Sequence, residues 1–213
     1  SQGTPGEGGT EEGSRYAVNL KRTDGSEWNL EISGDVRITQ SADTTSVYYA
    51  AENRTRIYQA DGSYAEVEGY TGDEHVDSIY VSTSDGAAMR SGNGNNLYFV
   101  YGDNTSIEGG SGNDTVVIAD GTSGHTINTG EGNDKVSGKT LDNSSINLGG
   151  GNNSLELGQV SNSAIAAGDG HNTIKTGALA NTSMTLGNGN NSITASRLYN
   201  DSTIVTGDGN NSL

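Results

Sequence analysis

GGSGNDTVV (Gly109–Val117) is the stretch that decides the reading of the fold, because the chain keeps rewriting it. From its second glycine it reads GSGNDTV, and the heptad returns as GEGNDKV at Gly130, GGGNNSL at Gly149, GDGHNTI at Gly168, GNGNNSI at Gly187 and GDGNNSL at Gly207. With a further copy at Gly92 the period is 18 to 20 residues. A second phrase falls between the heptads: DNTSI, SGHTI, DNSSI, SNSAI, ANTSM and NDSTI, ending at Ile107, Ile127, Ile146, Ile165, Met184 and Ile204. Each period thus carries two short apolar marks, nine to eleven residues apart.

Two strands and two turns per period is the arithmetic of a two-sided β-solenoid of about 19 residues per coil. Side chains alternate along a strand, so every second residue points inward. One inward ladder is expected from Val116, Val136, Leu155, Ile174, Ile193 and Leu213, with Ile118, Leu157, Thr176 and Ala195 two places on. The other is expected from the second-phrase residues, with Leu148, Ala167 and Leu186 beside them. The fold class is therefore all-β, an elongated parallel β-roll or β-helix with an N-terminal β cap.

Composition agrees with a thin core. Of 213 residues, 30% are hydrophobic and 6% aromatic, with 33 glycines, one proline and no cysteine. A net charge of -16 opposes nucleic acid as a partner, since phosphate contacts need clustered Lys and Arg. The absence of cysteine removes disulfides and thiolate metal sites. No stretch approaches the roughly 20 apolar residues of a membrane-spanning helix, so membrane insertion is not expected. Residues 1–14 read as a flexible linker, and the chain as a piece of a longer one, its solenoid truncated at the C-terminal end.

Residues 15–70 differ. YAVNL, WNLEI, DVRITQ, TSVYYA and RIYQA alternate apolar with polar residues between turn-like TDGS, SGD and QADGS, which predicts a β-rich cap, irregular first coils or a small separate β-domain. The solenoid is expected over 71–213. Seven of the eleven basic residues precede residue 102, as do Tyr48, Tyr49, Tyr58, Tyr64, Tyr70 and Tyr80. Tyr and Arg together suit either an end cap or a contact surface for a glycan or a protein.

GGSGNDTVV matches GGxGxDxUx, with U aliphatic, at every specified position. At this point the chain resembles the RTX family, the hemolysin-type calcium-binding repeats of large secreted bacterial proteins. The resemblance implies that turn carbonyls and the aspartate hold Ca²⁺ between coils. Carried over, the candidate calcium ligands are Asp114 and Asp134 with the turns of Gly110, Gly112, Gly130 and Gly132. Elsewhere the aspartate position holds Asn96, Asn153, Asn172, Asn191 and Asn211, an asparagine column expected to hydrogen-bond to itself without metal. The opposite turn departs from the pattern too. Its Asn143, Asn162 and Asn181, then Asn200 with a one-residue shift, read as a second ladder in a left-handed turn.

His75, His125 and His171 stand apart in the repeat register, with no spacing suited to zinc. The outward positions of the coils are mostly Thr, Ser and Ala, which offer no catalytic constellation. The expected function is a structural or adhesive repeat segment of a large bacterial protein, extracellular or at the cell surface, with calcium as its only cofactor. Its expected partners are neighbouring segments of the parent chain and a glycan or cell-surface ligand. The alternatives are a carbohydrate-binding or carbohydrate-active β-helix and an ice-binding solenoid.

Overall fold

The computed structural model describes residues 16–22, 25–72 and 76–213, so His75 and the linker 1–14 lie outside the described residues. Among those described there are twenty strands and no helix. The chain opens with a hairpin, β1 (Tyr16–Lys21) and β2 (Glu27–Ile32), then an antiparallel meander, β3 (Val36–Gln40), β4 (Thr45–Tyr49), β5 (Arg54–Tyr58) and β6 (Tyr64–Glu68).

Seven coils follow, each adding one strand to each of two sheets. The first strands are β7 (Ser78–Ser82), β9 (Leu97–Val100), β11 (Thr115–Ile118), β13 (Lys135–Asp142), β15 (Ser154–Ser161), β17 (Thr173–Ala180) and β19 (Ser192–Tyr199). The second strands are β8 (Ala88–Arg90), β10 (Ser106–Glu108), β12 (Thr126–Asn128), β14 (Ser145–Asn147), β16 (Ala164–Ala167), β18 (Ser183–Leu186) and β20 (Thr203–Thr206). The first set forms one face and is extended by the meander through antiparallel pairing of β3 with β7, giving an eleven-stranded sheet. The second set forms a seven-stranded parallel sheet, the opposite face.

Register confirms the inward ladders. Tyr80, Tyr98, Val116, Val136, Leu155, Ile174 and Ile193 align in one column. Met89, Ile107, Ile127, Ile146, Ile165, Met184 and Ile204 align in the facing one. The first column begins with two tyrosines, whose stacked rings lie 4.9 Å apart where later coils need only an aliphatic residue. A third inward column, Leu141, Val160 and Leu179, is buried at the far end of the long strands and belongs to the same core. Leu213 follows in the same register, since Ser212 pairs with Ser192, and is 83% exposed.

The 16–68 segment is antiparallel rather than coiled, and it shares a core with the coils. Val18, Leu20, Leu30 and Ile32 of the hairpin pack with Val36, Ile38 and Val47 of the meander and with Ile79, Val81, Leu97 and Phe99 of the first coils. These last residues alternate with the inward tyrosines, so the hairpin covers the outer face of the eleven-stranded sheet.

The Gly-rich turns set the coil spacing. The third residue of each heptad has a strongly positive φ, 116° at Gly112 and 131° at Gly132, a region closed to side-chain-bearing residues. A Cβ on Gly132 would also lie 2.1 Å from the Gly112 carbonyl oxygen, so only glycine lets the turns stack.

Candidate functional site

The site lies at the buried corner where each heptad turn enters its strand. Asn96, Asp114, Asp134, Asn153, Asn172 and Asn191 stack there, each 2% exposed or less, and Asn211 ends the column at the surface. Each side-chain Oδ1 accepts the backbone N–H of the preceding coil. Asn96 N–H donates to Asp114 at 2.9 Å, Asp114 N–H to Asp134 at 2.8 Å and Asp134 N–H to Asn153 at 2.8 Å. The asparagine coils continue the pattern at 3.1–3.2 Å. The main bond is thus backbone to side chain. Amide-to-amide bonds, expected throughout the column, join only Asn172 to Asn191 and Asn191 to Asn211, both at 3.0 Å.

Asp and Asn are equivalent at Oδ1 and differ at the second atom. In the asparagine coils Nδ2 turns back to its own heptad. Asn153 donates to Gly149 O at 3.1 Å and Gly151 O at 3.4 Å, and Asn172, Asn191 and Asn211 repeat the pair of bonds. With Oδ1 fixed the same way, Oδ2 of Asp114 and Asp134 takes the place of that nitrogen. Both Oδ2 atoms are buried without a hydrogen-bond partner.

An acceptor aimed where a donor belongs asks for a proton or a cation. Burial pushes the Asp114 carboxyl up to about 7, and the Asp134 carboxylate in the next coil adds to the rise; burial likewise raises Asp134 to about 6. For a cation the donor set would be oxygen only, two carboxyls and turn carbonyls, which suits a hard ion such as Ca²⁺. The Gly110 carbonyl already accepts the Glu131 N–H at 3.0 Å. No group of three or more His, Cys, Asp or Glu converges among the described residues, so the backbone would have to complete any such shell.

Beside the two acids lies a polar stretch of core that sequence reasoning missed. The inward residues following the Met89 column are Ser91, Gly109 and Thr129 in the early coils, then Leu148, Ala167 and Leu186 beside the asparagines. Ser91 and Thr129 are buried, and the Ser91 hydroxyl bonds to the Tyr98 hydroxyl and to Gly109 O at 2.9 Å. The sequence carries part of the signal: the residue two after the inward position is Gly109 and Thr129 in the Asp coils and Leu148, Ala167 and Leu186 in the three Asn coils that follow.

Two more ladders were legible only in part. Residues preceding the buried corner donate N–H in the opposite sense, back to the preceding coil, along an exposed edge: Asn95 to Asp77, Asn113 to Asn95, Asn133 to Asn113, Asn152 to Asn133 and His171 to Asn152. His171 keeps this surface ladder running by accepting the Asn190 N–H on Nδ1 at 3.0 Å. At the opposite turn a column of buried Thr105, His125, Ser144, Ser163 and Thr182, ending at half-buried Ser202, joins N–H to side chain from coil to coil. His125 serves there as an acceptor through Nδ1 at 3.3 Å, and burial lowers its pKa.

The expected turn asparagines are where the sequence put them. Asn143, Asn162 and Asn181 have φ of 50°, 50° and 47°, and Asn181 donates to Asn162 Oδ1 at 2.9 Å. The shift at Asn200 is an inserted residue, Asp201, which also takes a left-handed φ of 59°. The structure brings Asp114 and Asp134 together with their glycine turns and keeps this asparagine ladder on the far side of the coil.

The cap carries a different surface. Arg37 lies between the rings of Tyr70 and Tyr80, 4.3 and 5.0 Å from their centroids. Arg56 lies between Tyr49 and Tyr64, at 5.2 and 4.9 Å, and Trp28 meets Tyr58 edge to face at 4.6 Å. A polar cavity of about 510 Å³ is lined by residues that include Gln40, Asp43, Gln59 and Arg22, the last lying over the Trp28 ring. Compared with protein-family models, curated proteins and solved structures, the chain shows no match, so the likeness to RTX repeats rests on the residues of the coils themselves.

Proposed function

We propose that the chain is a structural repeat segment of a large secreted or cell-surface bacterial protein, an RTX-like rod that carries an adhesive end, with calcium bracing the Asp114–Asp134 coils. The observation that carries this reading is the run of side-chain ladders through the coils. Every corner is tied to the next by a polar side chain, while one outward column of the parallel sheet, through Thr126, Ser145, Ala164 and Ser183, is short and uncharged. A binding surface that changed from coil to coil would break such columns; a spacer needs them uninterrupted. Calcium, when bound, would add charge neutralisation at Asp114 and Asp134, whose own part is to offer the two orphaned Oδ2 atoms.

The test is a pair of thermal melts, in excess calcium and in EDTA. Calcium is expected to raise the Tm, and Asp114→Asn with Asp134→Asn to abolish the rise. Coincident melts of the parent protein would remove calcium from this reading. A second reading, carbohydrate recognition by the cap, is favoured by its polar cavity, whose lining residue Arg22 lies over the Trp28 ring at 5.2 Å. Turnover of any polysaccharide in a substrate panel would overturn the structural reading outright.

A further inference from the structure

The two faces of the solenoid end out of step. The meander carries one sheet on past the first coil, whereas the other sheet stops at β8. Along β8 the Ala87 carbonyl accepts the Ser106 N–H at 2.8 Å and the Ser91 N–H reaches Glu108 O at 2.9 Å, so the odd-numbered residues face β10. The N–H and C=O of one strand residue point to the same side, which turns those of Ala88 and Arg90 toward the open edge. One of the four is met there: the Tyr80 hydroxyl donates to Arg90 O at 3.2 Å. Among the described residues, Ala88 N–H, Ala88 C=O and Arg90 N–H are left as a short open template.

A groove of about 330 Å³ runs beside this edge. Its floor is the inner face of the overhanging sheet, with Arg37, Tyr48 and Tyr80, and its walls include Ala87, Met89 and Tyr70. We propose that this groove binds an extended peptide, which pairs with β8 as an eighth strand of the parallel sheet. Main-chain bonds to Ala88 and Arg90 would hold it, and alternate side chains would enter the apolar groove.

The partner's chemistry follows from what already lies on the other side of β8. There Ile107 stands beside Met89 and Glu108 beside Arg90. The matching occupant has an aliphatic residue over Met89 followed by an acidic one beside Arg90. A second copy of the chain does not fit. Bringing its β20 edge against β8 would drive its β19 into the place held by β3, whereas a single strand meets no such obstacle among the described residues. The proposal goes beyond the rod and stands whether or not calcium binds.

The test uses the full chain and a fluorescently labelled octapeptide, DNTSIEGG, copied from residues 103–110. Expected are saturable anisotropy and new protection of the Ala88 and Arg90 amides against hydrogen exchange. Arg90 is exposed, so Arg90→Glu should leave the Tm in place while weakening the peptide about tenfold. A peptide with Lys in place of Glu should restore binding to that variant. The proposal is overturned if anisotropy does not saturate, if the two amides are already protected in the free chain, or if binding leaves them exchanging and ignores the charge swap.

Discussion

At the scale of single residues, the corner column shows how one atom changes the conditions a fold needs. Asp and Asn both supply Oδ1 to the preceding coil, but only Asn supplies a donor for its own turn carbonyls. The folded carboxyls sit at about 7 and 6 against an ordinary 3.8, so the folded state holds protons more tightly than the unfolded chain. A raised folded pKa contributes stability that is complete below the unfolded value and is lost as pH rises through the folded one. Without divalent cations the Tm is therefore expected to fall as pH climbs from about 4 to 7 on account of these two groups. Asp114→Asn with Asp134→Asn should flatten that fall and raise the Tm at pH 8 by on the order of 5–10 °C. His125 acts with the opposite sign: its lowered pKa costs stability in acid, where the unfolded imidazole takes up a proton first. His125→Ser supplies the hydroxyl used in the next coils and should remove the acid loss, read by melts at pH 5 and pH 8. On the far turn, Asn162→Ala should cost about 1 kcal/mol in denaturant titrations and Asn162→Gly much less, because φ there is 50°.

At the scale of strands and turns, much of the architecture was legible because its special positions admit few residue types. A positive φ selects glycine or asparagine, and an inward strand position in a narrow core selects a medium aliphatic residue; both recur once per coil in the text. The third inward column was not legible. Leu141, Val160, Leu179 and the half-exposed Leu198 precede their turn in only the last four coils, and the early coils break the pattern with loops such as Asp120 to Ser123. Tyr98 was obscured for another reason: it fills the aliphatic position of its heptad and is fully buried, its hydroxyl satisfied by Ser91. The acids could be picked out by type, but their orphaned atoms could not, since that depends on where the second atom of a planar group falls. Packing predicts the cost of disturbing these elements. Leu155→Ala, at 1% exposure between Val136 and Ile174, should lower stability by about 2–5 kcal/mol. Gly170→Ala should cost more than about 3 kcal/mol, since its φ is 138° and a Cβ would lie 2.1 Å from Gly151 O.

At the scale of the whole molecule, stability is distributed along one dimension. Each coil touches only its neighbours, so the order of local opening follows position in the stack. Hydrogen exchange is expected to be fastest in β19 and β20, where Leu198, Tyr199 and Val205 are half exposed, and slowest in β13, β15 and β17. Uniform protection across the coils would show instead that the rod opens only as a unit. The hairpin and meander give the opposite end a second core, so the gradient should not be mirrored there.

The buried corner ladder also has a direction, opposite to that of the surface ladder one residue before it. Every N–H in the Asp/Asn column looks forward to a side chain on the next coil, so the buried corner amide of a coil is satisfied only when its successor has arrived. The cap therefore works as a seed crystal: synthesis delivers it first, and each finished layer lays out the lattice on which the next is deposited.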